Sequence, residues 1–140
     1  MGRVPVQGYV WQLAEARVKH AAAVSAVRVT IGNDPACRLW PNNSGIATHK
    51  HGNHTSRVRY GLCPGSSDLI GIIGPKGRML AIEVKVGSDQ LSEEQDLFLR
   101  LVRAFGGFGC ELRVPADASD DDVQAAARVV LERARGGAHE

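Results

Sequence analysis

A chain of 140 residues with 44% apolar content has the size and composition of one folded domain, expected here over residues 1–140. No apolar run approaches the roughly 18 residues needed to span a bilayer, and Met1-Gly2-Arg3-Val4-Pro5 lacks the apolar centre of a secretory signal. The net charge of +2 is lopsided: residues 1–60 hold eight Lys/Arg against two acids, giving +6, and residues 61–140 hold nine against thirteen, giving −4.

The first 27 or so residues set the opening element. Val6 to Val27 is rich in Ala, Leu, Glu, Arg and Lys, with no Gly or Pro after Gly8, and predicts a helix ended by the turn Gly32-Asn33-Asp34-Pro35. Cys37-Arg38-Leu39-Trp40 reads as a short strand stopped by Pro41-Asn42-Asn43-Ser44-Gly45. Residues 46–57 are polar and His-rich and read as a mobile loop, with a short strand at Arg57 to Tyr60. Cys63-Pro64-Gly65-Ser66 has Pro and Gly where a type II turn wants them. Ser67 to Ile73 and Arg78 to Val86, joined by Gly74-Pro75-Lys76-Gly77, form an antiparallel hairpin. Ser92-Glu93-Glu94-Gln95 opens a helix with a capping box, and Leu97, Phe98, Leu101, Val102 and Phe105 recur at helical spacing. Gly109 to Val114 is the last strand, and Ser119-Asp120-Asp121-Asp122 caps a helix with Val123, Ala127, Val130 and Leu131 on one face. The order is that of an α/β fold with a mixed sheet, in which the crossover helix favours a parallel pairing of the strands it joins. Cys37, Cys63 and Cys110 are far apart and odd in number, which favours neither a zinc site nor a disulfide framework and suits thiols in a reducing cytoplasm.

The hairpin carries the chemistry. Side chains alternate along a strand, so Glu83 and Lys85 share one face while Leu80, Ile82, Val84 and Val86 share the other. Asp68 stands at the mouth of the preceding strand. Two carboxylates are the number that Mg²⁺ usually takes from a protein. A divalent ion supplies what phosphodiester hydrolysis needs, charge on the phosphate and a water made nucleophilic near neutral pH. Lys85 can orient that water or offset developing charge.

These residues also carry a resemblance. Gly65-Ser66-Ser67-Asp68-Leu69-Ile70-Gly71, Ile82-Glu83-Val84-Lys85 and Ser92-Glu93-Glu94-Gln95 resemble the VRR-NUC family of virus-type replication-repair nucleases, within the PD-(D/E)XK superfamily. Leu39-Trp40-Pro41-Asn42-Asn43-Ser44-Gly45 and Arg59-Tyr60-Gly61-Leu62 resemble further segments of it, so that the likeness covers roughly Glu15 to Val114. The resemblance implies an αβββαβ core at about residues 6–114, with the helix at about 119–135 added to it. It implies a nuclease using Mg²⁺ or Mn²⁺ and no nucleotide cofactor. Asp68 and Glu83 would be metal ligands with the Val84 carbonyl as a third, Lys85 the catalytic lysine, and Gln95 a contact to that lysine or to water. The family has an acid on its first helix, for which Glu15 is the acid that residues 1–33 offer, at a longer spacing to Asn42 than usual. Asn42 and Asn43, beside Pro41 and Gly45, also suit a turn, but the resemblance favours at least one of them lining the site or touching DNA, with Ser66 and Ser67 as further candidates for DNA contact. The lack of a fused domain resembles viral and bacterial members, which are linked to cleavage of branched DNA, including Holliday junctions, and act as homodimers. The setting would be the cytoplasm, that of a bacterial host for a phage protein.

Plainer readings compete. Asp68 could simply terminate a turn, and Glu83 with Lys85 could be a solvent-facing strand pair. Gln95 is the N3 residue of a capping box, and Glu15 can pair with Lys19 four residues on. Trp11 and Trp40 suit a core or an interface. His49, His51 and His54 invite a zinc site, but the spacing is loose and no Cys is near; with Lys50, Arg57 and Arg59 they suit a loop on DNA phosphates or a solvated loop. A non-catalytic nucleic-acid-binding protein on the same fold has no use for the whole Asp-Glu-Lys-Gln set. A restriction-type nuclease needs base-edge readers, and no added segment supplies them.

Overall fold

A computed structural model describes the backbone of residues 6–137 and the side chains of residues 19–137. In chain order the elements are α1 (Val6–Gly32), β1 (Cys37–Pro41), β2 (Gly45–His51), β3 (His54–Tyr60), β4 (Leu69–Ile73), β5 (Arg78–Val86), α2 (Glu93–Ala104), β6 (Phe108–Val114) and α3 (Asp120–Arg135). Leaving aside β2 and β3, this is the expected αβββαβ order with an added C-terminal helix. The main sheet runs β1-β4-β5-β6. The β1–β4 and β4–β5 pairs are antiparallel, and β5–β6, joined through α2, is parallel. No described helix is long and apolar enough to cross a membrane.

Alternation along β5 decides the layers. Leu80, Ile82 and Val84 join Val27, Ile31, Phe108, Leu112, Val123, Ala127 and Val130 in one buried cluster, so α1 and α3 cover that face. Ala81 points the other way and packs with Leu99 and Val102 of α2. α1 runs five residues past Val27, because burial of Ile31 on the sheet outweighs the weak helix preference of Val29, Thr30 and Ile31. It stops at Gly32, and Asp34 in the turn beyond accepts the Ala36 N–H on its carboxylate at 2.8 Å and pairs with Arg135 at the end of α3 at 2.7 Å.

Two expectations are corrected. The stretch read as a mobile loop is a β-ribbon: β2 and β3 pair antiparallel from Gly45↔Tyr60 to His51↔His54. Gly52-Asn53 makes the two-residue turn, with Gly52 at φ +59°. The ribbon has no buried face, so its sequence lacks the apolar alternation by which a strand is usually read. The second correction concerns α2. It buries Leu99 and Val102, while Leu97, Leu101 and Phe105 of the expected stripe are exposed, Phe105 to 85%. The face turned to the sheet is Gln95-Phe98-Leu99-Val102, and a Cβ on Gly109 would lie 2.9 Å from the Leu99 carbonyl. On the edge strand β1, Trp40 is half exposed. Trp11 lies where no side chain is described.

Candidate active site

The site lies where the start of β4, the middle of β5 and the first turn of α2 meet. Gly65 makes that meeting possible. Its φ is +78°, and a Cβ there would come within 2.5 Å of the Glu94 backbone, so a glycine lets the turn from Cys63 press against α2. Asn42 then pins residues 66–68 beyond the turn. Its side-chain amide donates to Ser66 Oγ at 2.7 Å and to the Ser67 carbonyl at 2.9 Å, and its own N–H donates to the Asp68 carbonyl at 2.8 Å. Ser66 and Ser67 are buried, and Ser67 Oγ finds no hydrogen-bond partner among the described residues.

Asp68 and Glu83 are cross-linked through the backbone. Asp68 Oδ2 accepts the Val84 N–H at 2.9 Å, and Glu83 Oε2 accepts the Asp68 N–H at 3.2 Å. Glu83 and Lys85 do not face solvent: they are 2% and 5% exposed. Lys85 Nζ lies 3.5 Å from Glu83 Oε1 and 3.4 Å from Asp89 Oδ2. Gln95 is the N3 residue of the cap and also reaches the candidate site, but at Glu83 rather than at the expected lysine or water. Its Oε1 accepts the Ser92 N–H at 2.9 Å to close the capping box, which leaves Nε2 to donate to Glu83 Oε1 at 2.9 Å. Its contact at the site is thus the carboxylate of Glu83, through which it neighbours Lys85. Burial, and then the charge of Asp68, push the Glu83 carboxyl up to about 7, against the opposing pull of Lys85.

One neighbour was not foreseen. His20 reaches across from α1, with Nε2 3.1 Å from the Val84 carbonyl oxygen and 3.4 Å from Asp68 Oδ2. Its pKa is raised, first by the hydrogen bond to Asp68, with burial acting against it. No local pattern announces such a residue: Val84 is 64 positions away in the chain. Glu15, the expected first-helix acid, lies on α1 but outside the residues whose side chains are described.

Above these groups opens a cleft of about 570 Å³, lined by Asn42, Asn43, Ser44, Tyr60, Ser66, Asp68, Glu83 and Gln95. Ser44 and Tyr60 are the feet of the ribbon, which therefore rises from the cleft rim. Opposed residues of an antiparallel pair share a face. Ile46, Thr48 and Lys50 thus stand with Arg59, Arg57 and Thr55 on one side, and the His49, His51 and His54 side chains stand on the other. Lys50, Arg57 and Arg59 are all exposed, on the ribbon rather than in the cleft wall.

The donor set suits a divalent ion. Two carboxylates from adjacent segments meet beside a backbone carbonyl, and the buried one is held protonated to an unusually high pH by burial and by its neighbour's charge. A hard cation relieves that repulsion, and two carboxylates are what Mg²⁺ asks of a protein. The residues fit. Among the described residues no three His, Cys, Asp or Glu side chains already form a closed cage, which leaves zinc on the ribbon histidines without support.

No curated protein matches the chain. A family model does: the VRR-NUC domain matches residues 37–116, more than half of the sequence, and that span holds β1 through β6 together with Asp68, Glu83, Lys85 and Gln95. The chain belongs to the VRR-NUC family, a nuclease family of the PD-(D/E)XK superfamily.

Proposed function

We propose that this protein is a metal-dependent DNA endonuclease that cuts branched DNA, of the Holliday-junction kind, as a homodimer in the cytoplasm. The observation that carries the reading is the convergence of Asp68, Glu83 and Gln95 on one open cleft inside a VRR-NUC domain, with Lys85 buried against Glu83 beneath it. Asp68 and Glu83, with the Val84 carbonyl, would hold Mg²⁺ or Mn²⁺. Such an ion offsets charge on the phosphate and lowers the pKa of a water beside it.

The chain's own groups do the rest. Gln95 and the Asp68 N–H fix the Glu83 carboxylate from two sides. Lys85, buried against Glu83, puts a positive charge beside the scissile phosphate and orients the attacking water. Asn42 acts at one remove, by clamping the Ser66–Asp68 turn. Asn43 and Tyr60 line the path of the DNA, and Lys50, Arg57 and Arg59 hold its phosphates. Each chain has one such centre, so paired cuts in a branched DNA call for two copies.

The test is a panel of labelled single strand, duplex, flap, splayed arm and four-way junction, incubated with purified protein and Mg²⁺ or Mn²⁺. The four-way junction should be cut fastest, and Asp68→Ala, Glu83→Ala and Lys85→Ala should each lower the rate by about 10³-fold or more, the order lost when a group that stabilises the transition state is removed. Full activity in Glu83→Ala or Lys85→Ala would sink the site assignment. Light scattering on the same samples checks the dimer.

A further inference from the structure

We propose that His20 is itself a metal ligand, so that this centre binds its ion through one nitrogen as well as through oxygens. The proposal rests on the metal reading of Asp68 and Glu83. His20 Nε2 stands 3.1 Å from the Val84 carbonyl oxygen and 3.4 Å from Asp68 Oδ2, two of the three atoms assigned to the metal. Both are pure acceptors. A ring nitrogen can lie between them only by presenting a proton; a cation can take that place once the proton has passed to solvent and the remaining ring proton sits on Nδ1, which frees the Nε2 lone pair to donate to the metal. Nothing else on the described part of α1 competes for the role. The side chain is partly exposed, on the element that closes the site opposite α2. His20 also lies outside the matched span of residues 37–116, so the family match assigns it nothing.

The alternative is that His20 only ties α1 to β5 by a hydrogen bond. The two roles differ in how the centre ranks metals. An imidazole ligand favours first-row transition ions over Mg²⁺, least for Mn²⁺ and more for Fe²⁺ to Zn²⁺, whereas an all-oxygen centre suits Mg²⁺. Among the described residues, Asp68, Glu83 and His20 are not yet arranged as a three-ligand metal group; one oxygen of each carboxylate accepts a backbone N–H, and metal binding requires the three side chains to draw together.

The experiment uses Mn²⁺ as both ligand and probe. Mn²⁺ is titrated into the full chain and the loaded protein is examined by pulsed electron paramagnetic resonance, which detects a ¹⁴N nucleus bonded to the ion. Wild type should show the nitrogen coupling. His20→Gln, which keeps a hydrogen-bond donor toward Val84, should lose the coupling and bind Mn²⁺ about tenfold or more weakly. His20→Glu should bind Mg²⁺ at least as well as wild type, and its ratio of Mn²⁺ to Mg²⁺ affinity should fall by about tenfold. Asp68→Asn should lose the coupling too, which separates this centre from the ribbon histidines. Mn²⁺ binding that depends on Asp68 but shows no nitrogen coupling would overturn the role of His20 and leave the metal reading standing. The same holds for a coupling that survives His20→Gln. Absence of any Asp68-dependent Mn²⁺ binding would overturn both.

Discussion

Glu83 is the residue at which the architecture exacts a cost. It is buried on the central strand with Asp68 facing it from the start of β4, Lys85 beside it on β5, His20 within electrostatic reach from α1, and neutral Gln95 above it on α2. Burial and Asp68 together raise its carboxyl from 4.5 to about 7. Between those values the folded protein holds a proton that the unfolded chain has released. Stability from this group is therefore full below about 4.5, declines as pH rises, and is gone above about 7. His20, also raised, acts in the same direction, since its proton favours the folded state and is lost as pH climbs. Chelator-treated protein should accordingly resist urea better at pH 6 than at pH 8. Glu83→Gln removes the buried charge while keeping the shape. It should be more stable than wild type at pH 8, by roughly 1–3 kcal/mol, and should flatten the slope. An unchanged slope in the variant would place the titrating group elsewhere.

Among the elements, the ribbon is the one whose role is least tied to the fold. Neither of its faces is buried, so it adds little to the core, and a two-stranded hairpin alone is marginal in water. Lys50, Arg57 and Arg59 give it one exposed cationic side, which suits the proposed contact with DNA phosphates. Arg57→Ala with Arg59→Ala should weaken binding to every DNA form alike and reduce the slope of log K against log salt by about 2, one per lost phosphate contact. Cleavage at saturating DNA should be nearly kept, because neither arginine touches Glu83 or Lys85. An unchanged salt slope would take the ribbon off the DNA. The ribbon also marks the limit of what the chain discloses about itself. Asp68, Glu83, Lys85 and Gln95 were legible because each sits in a short local pattern: a Gly-Ser turn, an alternating strand, a capping box. The Gly52-Asn53 turn was an equally local signal, but polar side chains on both faces hid the strands around it. α2 offers two apolar stripes, and only packing on Ala81 and β6 selects Leu99 and Val102 over Leu97 and Leu101. His20 depends on a contact spanning 64 residues, which no local pattern encodes.

Across the whole molecule, the larger core cluster and most of the candidate site lie on opposite faces of one sheet, with His20 reaching the site from α1. The face under α1 and α3 holds a large cluster, from Val27 and Ile31 through Phe108 to Val130. The face under α2 buries Ala81, Leu99 and Val102, with Ile70, Met79, Leu91 and Phe98 at its edge. Yet α2 carries Gln95, and the Gly65 turn that leads to Asp68 leans on its first residues. The thin layer is thus the one that must hold the carboxylates in register. Regions with fewer buried apolar contacts open at lower free energy than the global transition. Backbone amides of α2 should therefore exchange with deuterium through a local opening while β5, β6 and α3 stay protected. Leu99→Ala should cost about 2–5 kcal/mol, felt first as faster exchange in α2, and it should slow cleavage because Gln95 loses its seat above Glu83. Phe108→Ala, on the other face, should cost about 3–5 kcal/mol and lower protection throughout the sheet. Equal protection of α2 and β6 in wild type would show that the two layers open as one unit, and would remove the reason to expect Leu99 to govern the active site.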